Sequence, residues 1–138
     1  MDRVHFMSQR SDWRTPKNLF DELDKEFHFW CDLCASEENA LCECYYTKEN
    51  SMLDACLEED FGFYWCNPPY GRELYKFVKK VYESKAPVVM LLPARTDTRW
   101  FHEFCLKAKE IRFIKGRLKF DDQKNSAPFP SMLVVFNR

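Results

Sequence analysis

The clearest hydrophobic pattern in the chain lies in residues 72–93. Apolar residues recur at the i, i+3, i+4, i+7 and i+8 positions of one helix face: Leu74, Phe77, Val78, Val81 and Tyr82. This spacing predicts an amphipathic helix that begins near Arg72 and ends before Pro87. The continuous apolar run Val88–Leu92 follows and is typical of a central strand that is covered on both faces.

The N-terminal half shows a weaker pattern of the same kind, a predicted helix followed by strand-like runs. Thr15 and Pro16 predict a helix start, with Thr15 as the N-cap and Pro16 in the first helical position. The apolar face of this helix consists of Leu19, Phe20, Leu23 and Phe27. Two strand-like runs follow, Phe27–Leu33 and Phe61–Trp65, and the acidic segment Ser36–Asp60 between them predicts at most one short helix.

The C-terminal third predicts one more helix and the closing strands. Asp97 or Thr98 caps the helix. Strands are predicted at Ile111–Lys115 and Met132–Phe136, and Leu118–Phe120 between them is expected to be extended.

Together these elements predict one α/β domain over residues 1–138, with helices on both faces of the sheet and a loose arm at residues 1–11. Only about 34 residues separate Asp32 from Asn67. Because a strand–helix–strand unit takes about 30 residues, two such units do not fit there, and we expect a trimmed sheet.

The segment Trp65–Gly71 carries the most specific chemistry. Pro68 and Pro69 lack a backbone N–H and fix φ, so neither a strand nor a helix continues through them. Asn67 and the Pro68 carbonyl are thereby presented at the carboxyl end of a strand, where open α/β sheets bind ligands. A primary amide, a carbonyl and the Tyr70 ring on adjacent residues suit a flat base that carries an exocyclic amine.

Composition narrows the function further. The chain has only three glycines, so a Gly-rich phosphate-binding loop has no sequence support. Residues 1–68 hold 6 Lys/Arg and 15 Asp/Glu, a balance of −9, whereas residues 69–138 hold 15 and 7, a balance of +8. The basic half is a candidate footprint for a polyanion, although any single lysine is explained equally well by a solvated helix face.

The seven cysteines occur without a signal-peptide pattern or an apolar run long enough to span a bilayer. We therefore expect free thiols in a reducing cytosol. Four cysteines follow a C-x2-C-x7-C-x-C pattern, which leaves a zinc site open: Cys31, Cys34, Cys42 and Cys44. We favour packing as small hydrophobic side chains and expect no metal, because the second pair lacks the spacing of a zinc knuckle.

The tetrapeptide Asn67–Tyr70 resembles the signature of amino-group methyltransferases that use S-adenosylmethionine. That signature alone leaves adenine N6, cytosine N4 and a glutamine amide open as methyl acceptors. From about residue 12 to the end, the flanking segments resemble the small phage-encoded DNA adenine-N6 methyltransferases: Asp12–Pro16, Cys31–Ala35 with Asn39-Ala40, Leu92-Pro93 with Asp97-Thr98, Gly116–Leu118 and Pro128–Ser131. The resemblance implies a trimmed Rossmann-like class I sheet and methyl transfer from S-adenosylmethionine to adenine N6 in DNA.

The resemblance also implies cofactor contacts. Trp13, Thr15 and Pro16 resemble residues that line the cofactor pocket, and the helix N-terminus beside them would receive the methionine carboxylate. Asp32 matches an acidic position of the family, with a turn-forming role as the alternative. The pair Cys34-Ala35 stands where larger methyltransferases carry a Gly-rich turn.

On the substrate side, the Asn67 oxygen and the Pro68 carbonyl would each accept one N6–H bond and aim the nitrogen lone pair at the methyl group. The adenine would be flipped or single-stranded, with Tyr70 stacked on it. Phe129 is the opposite wall of the base pocket or a core aromatic. DNA contacts are expected from the basic half: Arg72, Lys76, Lys79, Lys80, Arg95, Arg99, Arg117 and Lys119.

Two other functions remain open from the sequence. One keeps the chemistry but moves it to a protein glutamine or an RNA base. The other is a non-catalytic DNA-binding protein on a decayed methyltransferase fold, which the missing Gly-rich turn favours. The resemblance implies a phage or prophage protein in the cytoplasm of a bacterial host, with short or relaxed site specificity and a role against host restriction.

Overall fold

The computed structural model describes residues 13–121 and 123–137, so the arm predicted at residues 1–11 lies outside the described part. The helices in this part are α1 Lys17–Phe27, α2 Leu74–Ser84 and α3 Arg99–Glu103. The strands are β1 Cys31–Asp32, β2 Cys44–Tyr45, β3 Tyr64–Cys66, β4 Val88–Pro93, β5 Glu110–Phe113 and β6 Ser131–Phe136. Across these ranges, no helix combines the length and the apolar character that a membrane crossing needs.

The strands form one mixed sheet in the order β2-β1-β3-β4-β6-β5. The first four strands are parallel, and β6 runs antiparallel between β4 and β5. This topology is compatible with the trimmed Rossmann-like sheet and its antiparallel closing pair. It also brings the carboxyl ends of β1 to β5 and the start of β6 to one edge of the sheet, which we call the carboxyl edge.

Helices cover both faces of the sheet, as predicted. Trp65 of β3 packs edge-on against Phe20 of α1, with 5.6 Å between the ring centroids. The next residue, Cys66, faces the other side because side chains alternate along a strand. On that side its Sγ lies 3.8 Å from the Sγ of Cys34, and α2 packs against the 3₁₀ turn Met52–Asp54.

The centre of the core is the β4–β6 pair. Every residue of Val88–Pro93 and of Ser131–Phe136 is buried. The continuous apolar runs in the sequence therefore predicted both strands correctly, to within one residue at an end. The amphipathic helix α2 is also confirmed, but it begins at Leu74 rather than near Arg72.

Four predictions for the N-terminal half were wrong in detail, one of them the strand predicted at Phe61–Trp65, which is observed at Tyr64–Cys66. The first strand is limited to β1 because α1 continues to Phe27 and His28 then takes a left-handed conformation, φ 55°. The strand β2 was missed, since it spans two half-buried residues in an acidic segment. Thr15 is not the N-cap of α1, because the helix begins at Lys17 and Pro16 occupies the cap position without a side-chain bond.

The side chain that caps α1 comes from far along the chain. The Lys17 N–H donates to the Asp121 carboxylate at 2.9 Å. A carboxylate at a helix N-terminus satisfies a free N–H and complements the helix dipole. Thr15 is therefore released from the capping role, and its hydroxyl points into the protein instead.

Candidate active site

Asn67 follows directly after β3 at the carboxyl edge, and its side-chain amide is held from one side. The Nδ2 group donates to the Trp13 carbonyl oxygen at 2.5 Å and to the Thr15 hydroxyl at 3.0 Å. The Oδ1 atom is buried, and no donor among residues 13–121 and 123–137 hydrogen-bonds to it. A buried acceptor without a partner is costly, so this oxygen has the capacity to accept from a donor that the described residues do not supply.

The backbone around Asn67 is shaped by the residues that follow it. Pro68 is buried and Pro69 is half-buried, and neither can extend the β3 ladder. Gly71 then adopts a φ of 136°, which side chains disfavour, and its carbonyl accepts from the Leu74 N–H at the start of α2. The chain thus turns sharply at the carboxyl edge and leaves the Asn67 side chain at the turn.

Tyr70 does not present its ring to solvent. The side chain is 2% exposed, and its hydroxyl donates to the Leu91 carbonyl at 2.9 Å. Burial raises the pKa of this phenol well above its usual value, so the hydroxyl stays a neutral donor. Stacking on a base, as the sequence predicted, would require the ring to leave this position.

Phe129 belongs to an aromatic cluster with Trp13, Tyr70 and Phe120. Its ring centroid lies 5.2 Å from that of Trp13 and 5.7 Å from that of Tyr70, both edge-on. Of its two predicted roles, the core aromatic is the one that this packing supports. The Arg95 guanidinium lies 5.6 Å from the Phe129 centroid and covers the cluster from the exposed side.

Asp32, at the end of β1, shapes the loop that follows. One carboxylate oxygen accepts from the Cys34 N–H at 3.3 Å, and the other accepts from the Leu41 N–H at 3.2 Å. The carboxyl group is 3% exposed. Burial raises its pKa to about 6, and the two backbone bonds oppose that shift. The structure therefore shows the turn-forming role of Asp32, and the cofactor contact stays a prediction.

The raised pKa of Asp32 predicts how the free energy of unfolding depends on pH. Its folded-state pKa lies above the unfolded value, so the folded chain keeps a proton that the unfolded chain releases between pH 4 and pH 6. The stability of the wild type relative to Asp32→Asn should therefore fall by about 2 kcal/mol from pH 4.5 to pH 7.5. Urea unfolding of both proteins at these pH values measures the difference. If the unfolding free energy of the wild type minus that of Asp32→Asn stays constant or rises with pH, the raised pKa of Asp32 is contradicted.

The loop after β1 contacts the strand that carries Asn67. The Cys34 Sγ lies 3.8 Å from the Sγ of Cys66, the residue immediately before Asn67. Burial raises the pKa of the Cys66 thiol, which stays neutral. A cofactor held by the Asp32–Ala35 segment would thus lie one strand away from Asn67, a spacing of about 5 Å.

These residues suit S-adenosylmethionine only in part. The Asp32 carboxylate has the chemistry to accept from hydroxyl or amino groups, but it is buried and both its oxygens already accept backbone N–H bonds, and the Ala35 N–H donates to the Tyr46 carbonyl at 2.9 Å. One expectation does not fit. The first N–H of α1 already bonds to Asp121, so this helix end holds an anion of the chain itself and disfavours a second carboxylate.

The cysteines do not converge on a metal site. Cys31 and Cys44 pair across β1 and β2 with their Sγ atoms 2.6 Å apart, whereas Cys34 turns towards Cys66 on another strand. In the part of the chain that the structure describes, no three His, Cys, Asp or Glu side chains are grouped to hold a metal ion.

The basic residues predicted to contact DNA fall at or near the carboxyl edge. Arg72 follows β3, Arg95 follows β4, and Arg117 lies in the segment between β5 and β6, and all three are exposed. Lys76 and Arg99 are exposed in the first turns of α2 and α3, although Arg99 forms an ion pair with Glu103. The ammonium of Lys80 is engaged within the chain, because it donates to the Ala55 carbonyl.

The chain was compared with known proteins. A family model described as DNA N-6-adenine-methyltransferase (Dam) matches residues 5–138. The DNA N-6-adenine-methyltransferase of Escherichia phage T1 is 37% identical over 120 residues, which cover 82% of this chain and 48% of that protein. The protein of the same name from Haemophilus phage HP1 (strain HP1c1) is 32% identical over 143 residues, covering 94% of this chain and 80% of the relative.

A third relative matches a shorter stretch. The putative methyltransferase YfdM of Escherichia coli (strain K12) is 40% identical over 63 residues, which cover 42% of this chain and 69% of the relative. The chain therefore spans about half the length of the phage T1 relative and four fifths of the length of the HP1 relative.

Proposed function

The chain belongs to the DNA N-6-adenine-methyltransferase family, and on this premise we propose that it transfers a methyl group from S-adenosylmethionine to N6 of adenine in DNA. The observation that carries the proposal is the buried Oδ1 of Asn67, which has no donor among the described residues. It lies at the carboxyl end of a parallel strand, beside the loop in which the family's cofactor is expected.

The chemistry needs an acceptor at this point. The lone pair of the adenine N6 amine is delocalised into the ring, which makes the amine a poor nucleophile. An N6–H bond to Asn67 Oδ1, with a second to the Pro68 carbonyl, draws the nitrogen towards a tetrahedral shape and orients its lone pair. Catalysis of this kind rests on positioning and electrostatic stabilisation. The methylated ammonium is acidic enough to lose its proton afterwards without a dedicated base.

Access to the site requires an unpaired adenine. N6 is engaged in a duplex, so the base is flipped or already single-stranded when it reaches Asn67. Tyr70 reaches the stacking position only after its hydroxyl releases the Leu91 carbonyl. This movement gives up one neutral hydrogen bond, which contributes only about 1 kcal/mol, and also the burial of the ring, which stacking on a base would have to restore.

S-adenosylmethionine supplies an activated methyl group when it is bound. Asp32 and the Cys34-Ala35 backbone would hold its polar groups at the end of β1, and the buried Trp13–Pro16 segment would close the pocket next to Asn67. With these contacts, the methyl donor and the acceptor amine would lie at the ends of the neighbouring strands β1 and β3. Two of the three relatives named above come from phages, and we propose that the activity belongs to the cytoplasm of a bacterial host, where methylation would protect phage DNA from restriction.

Transfer of labelled methyl groups tests this function. Purified protein is incubated with labelled S-adenosylmethionine and unmethylated DNA, as a duplex and as a single strand, and the nucleosides are separated by mass. Label in N6-methyladenine is the expected result. Label in N4-methylcytosine would overturn the choice of base, label only in RNA or protein glutamine would overturn DNA as the substrate, and absence of cofactor binding would indicate a non-catalytic fold.

A further inference from the structure

The amide of Asn67 can have only one orientation. A backbone carbonyl oxygen accepts hydrogen bonds and never donates them. The side-chain atom that lies 2.5 Å from the Trp13 carbonyl oxygen must therefore be the nitrogen, and Oδ1 must point the other way. The assignment of the two atoms thus follows from chemistry, and it leaves the acceptor oxygen on the substrate side.

Thr15 supplies the second constraint. Thr15 is 7% exposed. Its hydroxyl oxygen accepts from Asn67 Nδ2 at 3.0 Å and from Trp65 Nε1 at 3.4 Å. Two donors on one small hydroxyl hold it between the segment before α1 and strand β3. Because Asp121 caps α1, the Thr15 side chain is free to do this.

We propose that the Trp13 carbonyl and the Thr15 hydroxyl form an orienting pair that holds the Asn67 oxygen towards the adenine amine and excludes aspartate at position 67. The inference rests on the proposed function. A carboxylate provides the same acceptor oxygen to a substrate, and aspartate serves this role in other amino-group methyltransferases. Here its second oxygen would face the Trp13 carbonyl, and two acceptors repel one another at hydrogen-bonding distance.

The first test separates orientation from cofactor binding. Thr15→Val keeps the shape of the side chain and removes the acceptor, and Thr15→Ser keeps the acceptor. Thr15→Val removes two hydrogen bonds, one from Asn67 Nδ2 and one from Trp65 Nε1. If Thr15 orients Asn67, this variant lowers kcat about tenfold, as expected when an amide loses one of its two fixing contacts, and Thr15→Ser retains most of the activity. A rise in the KM for S-adenosylmethionine at unchanged kcat would make Thr15 a cofactor contact and overturn the proposal.

The second test uses Asn67→Asp and pH. A protonated carboxyl donates to the Trp13 carbonyl and still offers one acceptor oxygen, whereas the ionised form is repelled. We therefore expect the kcat of the variant, divided by that of the wild type, to fall at least tenfold between pH 5.5 and pH 8. Ionisable groups on the neighbouring segments are common to both proteins and cancel in the ratio: Arg14, Asp32, Cys34, Cys66, Tyr70 and Arg95. A constant ratio would contradict the proposal.

A third measurement does not depend on activity. The introduced carboxyl group binds its proton more tightly in the folded state than in the unfolded chain, so the variant loses stability as pH rises. The Tm of Asn67→Asp, measured without substrate, should drop further below that of the wild type at pH 8 than at pH 5.5. If the wild type transfers no methyl group, the proposed function fails, and this Tm difference still decides whether the orienting pair exists. A pH-independent Tm difference would refute it.

Discussion

Replacing Asn67 with alanine should reduce the kcat for methyl transfer to adenine by about 10²–10³-fold, the usual effect of removing one preorganised group that binds the reacting atoms. The variant loses the buried Oδ1 that has no donor in the described chain, and with it the hydrogen bond that activates the amine. Label incorporated into N6-methyladenine, measured at saturating DNA and cofactor, gives the value. Turnover above a tenth of the wild-type rate would contradict the assignment of Asn67.

Asn137 provides a matched control for this experiment. Its amide Nδ2, like that of Asn67, donates two hydrogen bonds, here to the backbone carbonyls of Val81 at 3.1 Å and Ala86 at 2.9 Å. It follows β6 at the opposite edge of the sheet from Asn67, and its φ of 56° makes alanine strained there as well. Asn137→Ala should therefore destabilise the fold at least as much as Asn67→Ala and yet keep its kcat. Loss of kcat in both variants would mean that unfolding, and not chemistry, explains the result.

The parts of the fold that were predicted from the sequence are those in which local pattern and tertiary packing agree. The apolar run of β4 and the helical spacing of α2 coincide with the buried core, so both elements were found nearly to the residue. The strand β2 pairs with β1 through only Cys44 and Tyr45. Two half-buried residues carry no periodicity, so this strand becomes visible only once its partner is placed.

The active site divides in the same way. The position of Asn67 directly after a strand was predicted correctly, because two prolines after a strand-like run constrain the backbone locally. The role of Thr15 was missed, since the nearby sequence indicates a helix cap and the contact to Asn67 spans 52 residues. The Trp13 carbonyl has no sequence signal at all, because every residue carries a carbonyl. The helix cap from Asp121, 104 residues away from Lys17, is equally invisible to a local pattern.

The topology brings basic residues together in a chain whose net charge is −1. Antiparallel insertion of β6 brings the segment between β5 and β6, with Arg117, to the same edge as Arg72 and Arg95. Asn67 lies at this edge too, whereas other cations of the second half, such as Lys109 just before β5, lie at the opposite edge, and the acidic segment 36–60 includes the edge strand β2. The sequence showed that the two halves differ in charge, and the strand order shows which basic residues share the carboxyl edge.

This surface predicts a strong salt dependence of DNA binding. If about five cations at the carboxyl edge contact phosphates, affinity should fall about 10²–10³-fold between 50 and 200 mM salt, because each contact releases a condensed counterion. Fluorescence anisotropy with a labelled duplex measures the slope of log K against log salt. Arg117→Ala should reduce that slope by about one unit, whereas Lys109→Ala, exposed at the opposite end of β5, should leave it unchanged. A flat salt response, or equal effects of both variants, would argue that the carboxyl edge does not bind DNA.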